Sequence, residues 1–142
     1  MPVRYGSDLD EHHAVRSSAG LFDISHMAEI AILGDAEEFL DFAVVSKVSA
    51  LADGRAKYTM ICEADGGVID DLIVYRISAK DYLIIANASN RKAVVKALEH
   101  RKHGFNVDIQ DISDDFSLLA FQGPKSAEIL QSLITAEADG AK

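Results

Sequence analysis

The sequence predicts an α+β domain: a mainly antiparallel sheet with helices packed on it, formed as a single domain over residues 1–142. Two observations predict this class. Apolar segments with strand character and segments with helical periodicity follow one another as helix, strand, helix, three meandering strands, helix, two strands, helix, which is not the regular βαβ alternation of a doubly wound nucleotide fold. Between two of the strands lies Ala64-Asp65-Gly66-Gly67, where Asp-Gly followed by a second glycine is a strong hairpin signal.

The elements follow in order. Ser7 with Asp10 forms a capping arrangement for a helix of about three turns from Asp8 to Ser18, which stops at Gly20. Met27 to Leu33, MAEIAIL, is a strand. Asp35 then starts a helix whose Phe39, Leu40, Ala43 and Val44 share one face, the spacing a core-facing helix requires. Arg55–Glu63 and Val68–Ser78 are the strands of the hairpin. Tyr82 to Ala86, YLIIA, is apolar on both faces and is predicted to be a central strand, followed by a helix from Ser89 to His103 that stops at Gly104. Phe105–Ile112 alternates apolar and polar residues, and Phe116–Phe121 is a further strand. Gly123 and Pro124 open a last helix whose Ala127, Leu130, Leu133 and Ile134 are expected to pack on a sheet, before the chain runs out in TAEADGAK.

Composition limits what such a domain does. With 49% hydrophobic and 26% charged residues, the chain has the make-up of a folded protein and no disordered tract. No apolar run approaches a bilayer span and the N-terminus lacks the apolar stretch of a secretory signal, so a cytoplasmic location with no membrane contact is expected. The net charge of −9 and the dispersed basic residues argue against a nucleic-acid partner, although they leave room for a local anion site. Cys62 is the only cysteine, which excludes an intramolecular disulfide or a cysteine metal cluster; it is expected to be a buried structural thiol. His12 and His13 are helix neighbours about 100° apart with no ligand at i+4, and His26 lies on another element, so a solvated face and no metal site are expected.

One run needs a chemical explanation. In GGVIDDLIVYR, residues 66–76, Asp70 and Asp71 are adjacent inside an otherwise strand-like stretch. Burying an ionised carboxylate costs several kcal/mol unless something pairs with it. Because side chains alternate along a strand, the two point to opposite faces. Periodicity does not say which faces a ligand, since Leu72 and Val74 flank one face and Ile73 and Tyr75 the other. One carboxylate could be a structural group that accepts backbone N–H bonds from the turn.

Four strings, DEHHAVRSSAGLFDISHM at 10–27, GRAKYTMICEADGGVIDDLIVYR at 54–76, YLIIANASN at 82–90 and LLAFQGP at 118–124, together resemble the folate-binding domain of aminomethyltransferase, the T-protein of the glycine cleavage system. The resemblance implies a partial T-protein folate-binding domain. It also implies a reaction in which an aminomethyl group on the lipoyl arm of the H-protein loses ammonia while its one-carbon unit passes to tetrahydrofolate. By the same resemblance Asp70 is the catalytic carboxylate beside the pterin, and Met27, Tyr58 and Asn87 line the folate pocket. A carboxylate in an apolar wall has a raised proton affinity, suited to taking a proton from a folate amine or to stabilising the iminium cation that forms. Met27 and Tyr58 could equally be core residues, and Asn87 a helix N-cap or turn residue.

The family's further pterin-binding glutamate and folate-positioning arginines fall beyond residue 142, so the chain is expected to carry at best half of the pocket. VVSKVSALADG at 44–54 also departs from the family, which has an Asn-Asp pair before Val. Two functions therefore stay open: a piece of an aminomethyltransferase, or a non-catalytic module of the same fold that self-associates or assembles with another chain. Relatives that demethylate dimethylsulfoniopropionate or serve sarcosine-type oxidases share the fold, and the GGVIDDLIVYR string is most similar to the glycine-cleavage branch.

Overall fold

A computed structural model describes residues 4–134. The elements are α1 (Asp8–Ser17), β1 (Gly20–Asp23), β2 (Ala28–Gly34), α2 (Ala36–Ala43), β3 (Arg55–Cys62), β4 (Val68–Ser78), β5 (Asp81–Ala86), a 3-10 turn (Ala88–Asn90), α3 (Arg91–Arg101), β6 (Val107–Asp111), β7 (Leu119–Gln122) and α4 (Ser126–Leu133). The α+β class and the antiparallel sheet are as predicted. Contacts gather the chain into two compact units, one holding residues 25–117 and the other the segments on either side.

The larger unit is a five-stranded sheet in the order β3-β4-β5-β2-β6, with every neighbouring pair antiparallel. β5 sits third of the five and buries Tyr82, Ile84, Ile85 and Ala86, as a strand apolar on both faces should. The β3–β4 hairpin forms at the predicted turn. Asp65 Oδ1 accepts the Gly67 N–H at 2.9 Å, and Gly66 adopts φ +92°, which a side chain would strain.

One face of this sheet is the core. Ala28, Ile30 and Ile32 of β2, Ile61 of β3, Leu72 and Val74 of β4 and Tyr82, Ile84 and Ala86 of β5 pack with Ala36, Phe39, Leu40 and Ala43 of α2 and Val94 and Leu98 of α3. The helical spacing of Phe39, Leu40, Ala43 and Val44 is thereby explained: all four are buried. On the opposite face of β3 and β4, Tyr58, Met60, Asp71 and Tyr75 are exposed. Cys62 is half-buried rather than buried, beside a bulge between Ile61 and Cys62, and its carbonyl accepts a bond from the Arg101 guanidinium.

The smaller unit holds α1, β1, β7 and α4. Ser7 caps α1 as expected, its hydroxyl accepting the Asp10 N–H at 3.3 Å. β1 has no counterpart in the predicted element order. It pairs antiparallel with β7, with Leu21 opposite Phe121, so the second predicted late strand forms this two-stranded ribbon and stays out of the main sheet. A four-residue strand has too little pattern to stand out in sequence; its pairing partner makes it a strand. α4 begins after Gly123, but no residue of it is buried, and Leu130 and Leu133 are exposed, so the expected packing of that face on a sheet is absent among the described residues. Residues 135–142, the TAEADGAK tail, lie outside the described residues.

Candidate functional site

The site is built by the β3–β4 hairpin and the end of β5. Antiparallel pairing sets Met60 opposite Asp71 and Tyr58 opposite Ile73, so Tyr58 and Asp71 are diagonal neighbours on one face. The Tyr58 hydroxyl spans that diagonal and donates to Asp71 Oδ2 at 2.6 Å. On the other side of β4, Leu72 pairs with Ala86 and Ala86 in turn with Ala28. One step further along, Asp71, Asn87 and Met27 lie at the same end of the sheet. Asn87 Nδ2 donates to Asp71 Oδ1 at 3.0 Å and to the Asp71 carbonyl at 3.1 Å.

Asp71 is thus an exposed carboxylate held by a phenol and an amide. The Tyr58 hydrogen bond is the main reason its pKa lies below the ordinary carboxylate value, with Asn87 adding to the effect. The same bond, to a negative acceptor, raises the Tyr58 phenol above its usual value. At neutral pH the pair is a charge-assisted O–H···O⁻ contact, with the proton on Tyr58 and the charge on Asp71.

Asp70 lies on the other face of β4. Its residue is 2% exposed, on the core face beside Leu72 and Val74, so the hairpin does not present it on the open face. Its carboxyl accepts three donors: the Asn87 backbone N–H at 2.8 Å on Oδ2, and Asn87 Nδ2 at 3.0 Å and Asn90 Nδ2 at 2.6 Å on Oδ1. This is close to the turn-anchored carboxylate that the sequence left open, with the donors coming from the end of β5 rather than from the hairpin turn.

Of the expected pocket residues, the structure joins Tyr58 and Asn87 through Asp71. Tyr58 is 63% exposed, so it is a surface residue and not a core one. Asn87 does precede the 3-10 turn, but its side chain makes no capping bond and is spent on the two aspartates. Met27 is half-buried, just before β2. Asn90 was not singled out in the sequence; its only signal is the polar string NASN closing an apolar strand. Among the described residues no cluster of histidine, cysteine and carboxylate side chains is arranged to hold a metal ion, and no helix is long and apolar enough to cross a membrane.

Comparison with known proteins bears on what this face belongs to. Residues 1–142 match the GCVT N-terminal domain family. The chain belongs to this family. It is 52% identical over 143 aligned positions to an aminomethyltransferase of Streptomyces coelicolor, covering 100% of this chain and 38% of that protein. An aminomethyltransferase of Clostridium botulinum is 43% identical over 94% of the chain and 36% of its own length. The chain therefore spans well under half the length of these relatives. The glycine cleavage system aminomethyltransferase T of Bartonella henselae superposes with a TM-score of 0.82 at 38% identity, over 87% of this chain and 34% of that one. A heterotetrameric sarcosine oxidase of Corynebacterium sp. U-96 shares the fold alone, with a TM-score of 0.57 at 13% identity over 91% of this chain and 64% of that one. The resemblance carried by the four sequence strings is borne out.

Proposed function

We propose that this chain is the folate-facing part of an aminomethyltransferase of the glycine cleavage type, which passes the one-carbon unit of an aminomethyl group on the lipoyl arm of the H-protein to tetrahydrofolate and releases ammonia. Family membership supports the reaction class. The single observation that supports the location is the Tyr58–Asp71–Asn87 cluster on the open face of β3 and β4.

The residues present fit a flat, amine-bearing ring system. Tyr58, Met60 and Tyr75 offer aromatic and thioether surface on the open face, and Asp71 adds one fixed negative charge. When bound, tetrahydrofolate supplies the amines that take up the one-carbon unit. Asp71, rather than Asp70, is the carboxylate we assign to that chemistry. Held below the ordinary carboxylate range, it is a weak base at neutral pH, so its part is to stabilise positive charge as it develops on an attacking or departing amine. Tyr58 and Asn87 keep that charge aimed at one place, which removes the reorganisation a free surface carboxylate would need. Met27 closes the same end of the sheet. The bacterial relatives suit a cytoplasmic setting.

The test is a titration of the 142-residue chain with millimolar tetrahydrofolate, followed by NMR. Perturbations centred on Tyr58, Asp71, Tyr75 and Asn87, lost in Asp71→Asn, are expected. Binding that centres elsewhere, or that survives Asp71→Asn unchanged, overturns the assignment. A folate pocket lacking part of its polar groups loses affinity and preorganisation steeply. With aminomethyl-loaded H-protein and tetrahydrofolate, the chain by itself is therefore expected to release little or no ammonia.

A further inference from the structure

We infer that Asp70 is a positioning residue, whose buried carboxyl fixes Asn87 so that the Asn87 side-chain amide stays on Asp71. The inference rests on Asp71 being the working carboxylate of the open face. It gives the adjacent aspartates separate tasks: one charge is offered outward, while the other grips, from beneath, the residue that orients the first.

The geometry carries it in three steps. Adjacent strand residues point to opposite faces, so Asp70 and Asp71 do not act side by side on one ligand. Asn87 connects them. Its backbone N–H is tied to Asp70 Oδ2 at 2.8 Å, and its Nδ2 lies 3.0 Å from both Asp70 Oδ1 and Asp71 Oδ1. Finally, the Asn87 amide has one orientation only. Nδ2 carries two hydrogens and meets three acceptors, counting the Asp71 carbonyl at 3.1 Å, so one hydrogen is shared. Turning the amide over would set its oxygen against three oxygens and take from each of them the Asn87 donor.

Asn90 completes the clamp. It donates to Asp70 Oδ1 at 2.6 Å from the turn that follows β5, holding the carboxyl from the side away from Asn87's backbone. With three donors satisfied and 2% exposure, Asp70 has no accessible surface with which to meet a ligand itself. A carboxyl that served only to satisfy the end of β5 would have the same burial, so stability alone does not separate the two roles. The titration of Asp71 does.

The experiment follows the Asp71 carboxyl carbon by NMR as pH is lowered, in the 142-residue chain and in Asp70→Asn, Asn87→Ala and the double variant. No ligand is involved, so the outcome is independent of whether tetrahydrofolate binds this face. Asp70→Asn is expected to move the Asp71 midpoint upward by as much as Asn87→Ala does, and the double variant is expected to move it no further, because one residue acts through the other. A midpoint unchanged in Asp70→Asn while the melting temperature falls would overturn the inference, as would shifts that add in the double variant. If Asp70→Asn does not fold, the unsubstituted chain decides. Two distinct, slowly exchanging Asn87 Nδ2 protons whose shifts follow the Asp71 titration support the clamp, and a single averaged, rapidly exchanging signal refutes it.

Discussion

Replacing Glu29 with methionine is expected to stabilise the chain at neutral pH. Glu29 is 3% exposed on β2, opposite Ile85, and among the described residues neither of its carboxyl oxygens has a hydrogen-bond partner. Its backbone, by contrast, is fully engaged: Ser113 Oγ accepts the Glu29 N–H at 2.9 Å, and the Glu29 carbonyl accepts the Ile112 N–H at 2.9 Å. The substitution therefore leaves the strand intact and removes only the polar end. An unpaired buried polar group costs about 1–3 kcal/mol, and methionine is unbranched and fills an irregular apolar site without a polar atom to satisfy. A gain of about 1–3 kcal/mol corresponds to a rise in melting temperature of roughly 3–12 °C for a chain of this size.

The gain depends on pH. Burial raises the Glu29 pKa above its usual value, opposed by the Arg91 charge and reinforced by Asp111. A carboxyl that holds its proton more tightly folded than unfolded destabilises the fold progressively as pH climbs above the unfolded pKa, up to and through the folded one. The advantage of Glu29→Met is thus smallest near pH 4 and larger at pH 7. Paired urea or thermal unfolding curves across that range measure it. A variant less stable than the parent at pH 7, or a difference that does not change with pH, would show that Glu29 has a partner in solution and would refute the reasoning.

Three other outcomes are expected. Tyr58→Phe removes the main donor to Asp71, so the Asp71 carboxyl titrates at higher pH by NMR while the melting temperature barely changes, because Tyr58 is 63% exposed. Gly34→Ala is destabilising in chemical denaturation by more than the ~1 kcal/mol scale of a compatible glycine substitution: Gly34 has φ +102° and an added Cβ would lie 2.5 Å from the Asn106 carbonyl oxygen, so the backbone has to move. Phe39→Ala empties a site that is 0% exposed and packed edge-on to Phe105 at 5.5 Å between ring centroids, and is expected to lower unfolding free energy in urea by about 3–5 kcal/mol.

Local chemistry in the sequence was sufficient for most of the elements. The Ser7 cap, the Asp-Gly-Gly hairpin and the one-sided apolar face of α2 each depend on interactions within a few residues, and each lies where it was predicted. The family, too, was legible, because long strings in order leave little to chance. Membership in that family did not say which of the neighbouring aspartates would be buried.

Which of Asp70 and Asp71 is buried belonged to the tertiary structure. β4 is apolar on both sides, with Leu72 and Val74 on one and Ile73 and Tyr75 on the other, so hydrophobic pattern could not say which face would be covered. α2 and α3 settle it by packing on Leu72 and Val74, which takes Asp70 inward and leaves Asp71 in the open. The β1–β7 ribbon, the burial of Glu29 and the bridge through Asn87 were hidden for the same reason. Each is made by groups far apart along the chain, and an interaction that exists only after folding leaves no periodic trace in the residues on either side of it.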